Sequence, residues 1–247
     1  MMKIYILWLR EIKKYFRSRS RVIGSLGMPL LFLFVLGFGL KSVSTVNGVN
    51  YMDFIFPGVI AMAVLMNSMF SGISVIWDKQ FGFMKEMLVA PVSRLSIMVG
   101  KTLGGATTAL FQGLIIFLIA LLAGIRVHSL LGFFMAILFM LLIGITFTAV
   151  GISFASKMGD MQAFPIIMNF VVMPLFFLSG ALFPLKDVPR AIKIISSIDP
   201  MTYGVDALRF SLIGVSYFPI ILDFAVLAIF CLASISIGAY LFNKMDI

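Results

Sequence analysis

The chain has 247 residues, 62% of them hydrophobic and 12% charged, with a formal net charge of +9 at pH 7. Soluble domains devote about a quarter of their residues to Asp, Glu, Lys and Arg. A water-soluble globular protein is therefore excluded, and a polytopic α-helical membrane protein is expected.

The opening segment "MMKIYILWLREIKKYFRSRS" places Ile4, Trp8, Ile12 and Phe16 at every fourth position, with Tyr5, Leu9 and Tyr15 beside them. Lys3, Arg10, Lys14 and Arg17 gather on the other side. That pattern predicts an amphipathic helix within residues 1–21, suited to lying in a membrane interface. A first span is expected over residues 22–40. A basic lead of this length, followed by an apolar run containing Pro29, argues against a cleaved signal peptide ending at "SVS".

The second predicted span covers residues 54–76 and carries Asn67, Ser71 and Ser74 at i, i+4 and i+7. The stretch "WDKQFGFMKEMLVAPVSR" follows, opening on Trp77 as an interface anchor. Within it Phe81, Met84 and Leu88 share one face of a short helix, with Met87 alongside and Lys85 and Glu86 turned elsewhere. Pro91 ends the helix. An isolated helix of about two turns is not stable in water. This one needs a surface, either lipid or a groove on a soluble partner.

Further spans are expected over 102–124, 130–156, 162–185 and 218–241, which makes six. Gly100–Lys101–Thr102 imitates the end of a phosphate-binding loop, but that loop needs a first glycine where this chain has Leu95. Lys101 is read instead as an anchor entering the third span, with Gly100 and Gly104 as a small-xxx-small packing pair. Gln112 and Asn169 place polar groups inside the third and fifth spans. With Asn67, Ser71 and Ser74 they either line a pathway or hydrogen-bond between helices. Pro165, Pro174 and Gly180 predict a bent or broken fifth span.

Residues 186–217 alternate apolar residues with Lys186, Arg190, Lys193, Asp199, Asp206 and Arg209. They are too charged to span and too apolar to hang free. Two short helices at the outer surface are expected, the second headed by Pro200. No catalytic constellation is found, because the chain has a single histidine, His128, and no HExxH motif. Cys231, the one cysteine, is expected to be a packing residue in the last span.

Lys3, Arg10, Lys13, Lys14, Arg17, Arg19, Arg21, Lys79, Lys85, Arg94, Lys101, Lys157 and Lys244 fall on one side of the predicted spans. Only Lys41, Arg126, Lys186, Arg190, Lys193 and Arg209 fall on the other, while the acids divide equally. The Lys/Arg excess marks the cytoplasmic side, so both termini are expected there. Distribution across a membrane, not nucleic-acid binding, accounts for the positive charge.

The segments "FPGVIAMAVLMNSMFSGISVIWDKQFGFMKEMLVAPVSRLSIMVGK" and "IDPMTYGVDALR" resemble the membrane permease subunits of type-2 ABC exporters. That group includes daunorubicin-resistance and nodulation-factor export permeases. The resemblance covers essentially the whole chain. It implies an all-α, six-span permease domain over residues 1–247, with an interfacial helix at 1–21, a cytoplasmic coupling loop at 77–101 and short extracellular helices within 186–217. It also implies that Phe81, Phe83, Met84, Lys85, Glu86, Met87 and Leu88 contact a separate ABC ATPase, which holds ATP and Mg. No cofactor is expected on this chain. Two permease copies, most simply a homodimer in the plasma membrane, would move an amphipathic substrate outward. An ATP-independent channel or scaffold, its short helix resting on lipid, is the other reading.

Overall fold

The structure is a computed structural model that describes residues 2–39, 45–46, 49–89, 92–124 and 128–245. Helix α1 (Met2–Arg17) is followed by α2 (Arg19–Leu31), which runs on into a π-helical segment, Phe32–Phe38. The chain turns by 72° between α1 and the segment Val22–Gly37. The π segment begins three residues after Pro29, which lacks the N–H that an α-helical ladder uses. A two-residue antiparallel ladder pairs Thr45 with Asn50 and Val46 with Val49.

The centre of the fold is α3 (Tyr51–Ser71), which from Phe54 to Leu65 is apolar on every face and buried without interruption. A helix that is hydrophobic all round belongs inside a bundle. Helices α6 (Arg94–Leu122), α7 (Leu130–Lys157) and α10 (Pro200–Ile213) pack around it. Helix α11 (Ile220–Asn243) lies against α7. It buries Leu227, Cys231, Ser234, Gly238 and Phe242 at three- and four-residue intervals. Its other side exposes Ile221, Ile229, Leu232 and Ile237, a surface suited to lipid. Cys231 is buried, as its place in an apolar run predicts.

Among the described residues, four helical stretches are long and apolar enough to cross a membrane: Tyr51–Gln80, Arg94–Leu122, Leu130–Lys157 and Ile220–Asn243. The bent pair formed by α1 and α2 makes a possible fifth by length and composition. The fifth expected span, 162–185, corresponds to α8 (Ala163–Leu178), which has 16 residues where about 20 are usually needed. It stops short of residue 185 because Gly180 takes φ +72° and turns the chain.

The region read as a coupling loop over 77–101 is also shorter than expected. Helix α4 (Ile73–Gln80) prolongs α3 and α6 begins at Arg94, leaving α5 (Phe83–Val89) between them. Gly82, with φ +79°, separates α4 from α5. At the opposite end of the bundle, α9 (Arg190–Ile198) and α10 are divided by Asp199. Pro200 opens α10 and the Asp199 carboxylate accepts the Met201 N–H at 2.8 Å.

Candidate functional site

Helix α1 lies close along α6 because α6 presents glycine at two points of the contact, opposite Leu7 and Glu11. A Cβ on Gly100 would sit 2.7 Å from the Leu7 Cβ, and one on Gly104 would sit 2.6 Å from the Glu11 Cβ. The small-xxx-small pair expected from the sequence therefore packs against the N-terminal helix. Trp8 Nε1 donates to Thr107 Oγ1 at 3.0 Å along the same seam.

Lys101 stands between the two glycines and is drawn into this contact. The sequence reading of Lys101 as an anchor at the head of the third span is corrected here. Its side chain is 1% exposed and lies about two turns inside α6. Nζ donates to Asp78 Oδ2 at 2.5 Å, to Glu11 Oε1 at 3.2 Å and to Ser74 Oγ at 3.3 Å. The physical reason is the neighbouring acid: Asp78 is 2% exposed, and a buried carboxylate needs a counter-charge.

Asp78 also takes Arg10 Nη2 at 2.9 Å, with Lys14 Nζ at 4.0 Å. Three cations thus face two acids across α1, α4 and α6. Burial lowers the Lys14 ammonium below the ordinary lysine pKa, opposed by the attraction of Asp78 and Glu11.

Arg10 carries the cluster on to α5. Its Nη1 lies 3.5 Å from Met87 Sδ, and its guanidinium lies 5.8 Å from the centre of the Phe83 ring. Phe81, at the end of α4, and Phe83 are 59% and 49% exposed, and Lys85 and Glu86 of α5 are exposed with them. Met84 is completely buried in the chain's own core, and Met87 is half-buried against it. The docking face read from the sequence is corrected at Met84: the amphipathic stripe points inward at this residue, because α5 folds back onto its own bundle. Leu88 belongs to α5, but its side chain lies outside the described residues. What α5 offers a partner is an aromatic and charged edge, wired beneath to a buried ion cluster.

The other sequence-predicted polar residues divide into two groups. Asn67 Nδ2 donates to Tyr15 Oη at 3.2 Å, and Tyr15 Oη donates to Gln112 Oε1 at 2.6 Å. Ser25 Oγ donates to the same oxygen at 3.0 Å. Asn67 and Gln112 are thereby joined through α1 and α2, while Ser71 and Ser74 lie on the neighbouring turns of α3 and α4. Asn169 stands apart, exposed on α8 beside Ile166 and Phe170.

Sequence reasoning missed Asp78, Arg10 and Glu11. An acid at the end of an apolar run, with cations one turn apart on a preceding amphipathic helix, was the available signal. Asp206 and Arg209 were placed only within an irregular region. At that end of the bundle, the Asp206 carboxylate accepts from the backbone N–H groups of Tyr217 and Phe218 at 2.7–2.9 Å. Arg209 Nη2 donates to Gly180 O at 2.8 Å, and its guanidinium lies 4.0 Å from the centre of the Phe54 ring.

The family model described as ABC-2 type transporter matches residues 2–213. The chain is 29% identical to the inner membrane transport permease YadH of Escherichia coli K12 over 234 residues, covering 92% of this chain and 89% of the relative. It is 26% identical to nodulation protein J of Rhizobium leguminosarum bv. viciae over 243 residues, covering 97% and 91% respectively.

Proposed function

The chain belongs to the ABC-2 type transporter family, and from that premise we propose that it is the permease subunit of an exporter driven by a separate ABC ATPase. ATP and Mg are held by the partner, while this chain supplies half of a membrane channel. Helix α2 and helix α8 complete six spans with the four long apolar helices. The Lys/Arg bias sets both termini, α1 and α5 on the cytoplasmic side of the plasma membrane. Helices α9 and α10 then lie outside. Two copies with two ATPases form the working unit, and the exposed aromatic residues Tyr5 and Phe16 of α1 rest on lipid.

The observation that carries this reading is the two-sided character of α5. Phe81, Phe83, Lys85 and Glu86 are open to a partner, while Met87 and Phe83 adjoin Arg10 of the buried cluster. A force applied to α5 by closing ATPases is thus delivered to α1, α4 and α6 together. Closure rocks the spans and opens an outward path for an amphipathic substrate.

The test is co-expression with candidate ABC ATPases from the same genome, followed by purification through a tag on the permease. Retention of the ATPase, with hydrolysis altered by the permease, is the expected result. A chain that crosses the membrane and never retains the ATPase would instead be an ATP-independent channel or scaffold.

A further inference from the structure

A cavity of about 490 Å³ opens between α1, α2, the α3–α4 rod and α6. Its size falls among small-molecule sites, which run at about 300–1,000 Å³. One part of its wall is Met28, Met66, Phe70, Ile73 and Trp77, a surface for an alkyl or ring system. The charged residues on the wall are Glu11 and Lys101, and these are spent. Lys101 divides its donors among Asp78, Glu11 and Ser74. A ligand bearing a formal charge finds no free counter-charge here and loses its hydration on entry.

What remains unspent is neutral. Asn67 uses its amide nitrogen on Tyr15 and Thr108 O, which leaves its carboxamide oxygen as an acceptor. Ser71 and Thr108 donate to carbonyls of their own helices and keep lone pairs for a donor. Behind Ser25 and Tyr15, Gln112 is fully buried and its Nε2 has no partner among the described residues. A buried amide donor without an acceptor costs about 1–3 kcal/mol. A group bonded to Ser25 or Tyr15 that drew these hydroxyls toward the cavity would let the network rearrange.

We propose that this cavity binds one neutral amphiphile whose polar end carries hydroxyl or carbonyl groups. The proposal deepens the exporter reading by naming the class of molecule taken up from the membrane. Binding itself requires no ATPase, so either statement can fail while the other stands.

The experiment uses the full chain in lipid nanodiscs and a monoacylglycerol with a diazirine on its acyl chain. Lysophosphatidic acid and alkyltrimethylammonium probes of equal chain length serve as anionic and cationic counterparts. Labelled peptides are mapped by mass spectrometry. Labelling by the neutral probe is expected on the peptides containing Met28, Met66 and Phe70, about tenfold above either charged probe. Gly24 lines the cavity, and a Cβ there meets nothing within 4 Å. Gly24→Phe fills the space without a backbone clash and is expected to lower labelling about tenfold, as is Ser20→Trp at another point on the wall. Gly27 is equally open but does not line the cavity, so Gly27→Phe should label like the unaltered chain. Undiminished labelling of both filling variants overturns the proposal. So does equal loss in Gly27→Phe, or a charged probe that labels as well as the neutral one.

Discussion

Asp78 and Lys101 are 23 positions apart in sequence and 2.5 Å apart in space, one on the helix before α5 and one on the helix after it. Their ion pair closes the base of the segment that presents Phe81 and Phe83. A segment closed at its base moves with the helices that carry it, whereas an open loop of the same length would absorb displacement. Arg10 extends the same junction to α1.

Breaking this pair on one side leaves a charge without its partner in a buried place. Lys101→Met is expected to destabilise the chain by about 3–5 kcal/mol, read as thermal unfolding in nanodiscs. Arg10 is 35% exposed and retains only part of the compensation. Replacing both Asp78 and Lys101 with leucine should recover most of that loss, because buried pairs are often no better than apolar ones. Strictly additive losses in the double variant would mean that the two residues do not act as a pair.

Around α5, exposure separates two kinds of substitution. Phe81→Ser with Phe83→Ser is expected to weaken ATPase retention at least about tenfold while leaving the melting profile close to the original. Met84→Asp buries a carboxylate in the core and should lower stability by several kcal/mol. If Met84→Asp melted normally yet released the ATPase, the inward placement of Met84 would be wrong.

The contrast at Met84 shows where the sequence stops informing. Its periodicity with Phe81 marks an apolar face but not which body covers that face, since the chain's own bundle and a partner groove ask for the same residues. Gly100 and Gly104 were legible because close approach needs glycine at fixed spacing, whatever the partner helix. Pro200 was legible for the same local reason, its fixed φ suiting a first helical position. The Asp78–Lys101 contact was hidden because a pair so distant in sequence is set by the packing of helices. Asn67 and Gln112 could be singled out as polar, but only the fold reveals Tyr15 as the hydroxyl that joins them.

The crossing of α1 and α6 is sensitive to any added bulk. Gly104→Leu must displace the Glu11 Cβ from a 2.6 Å approach, and overpacking of this kind costs about 1–3 kcal/mol. Separation of α1 should also release Lys101 from Glu11. Protease cleavage within residues 13–21 is expected to accelerate in Gly104→Leu. Equal cleavage rates in the two proteins would show that α1 holds to α6 by other contacts.

At the other end of the bundle, Asp199 caps α10 from a buried position that pushes its carboxyl up to about 7, against the opposing Met201 N–H. An unfolded aspartate titrates near 3.9. The folded chain therefore holds the proton more tightly. Its contribution to stability is full below the unfolded pKa, declines as pH rises and is lost once pH passes about 7. Hydrogen exchange across residues 200–204 should accordingly be slower at pH 5.5 than at pH 8, after correction for intrinsic exchange rates. Asn caps a helix as well as Asp does and carries no titrating proton. Asp199→Asn should keep α10 capped while flattening this pH dependence. An undiminished pH response in that variant would assign it to another group.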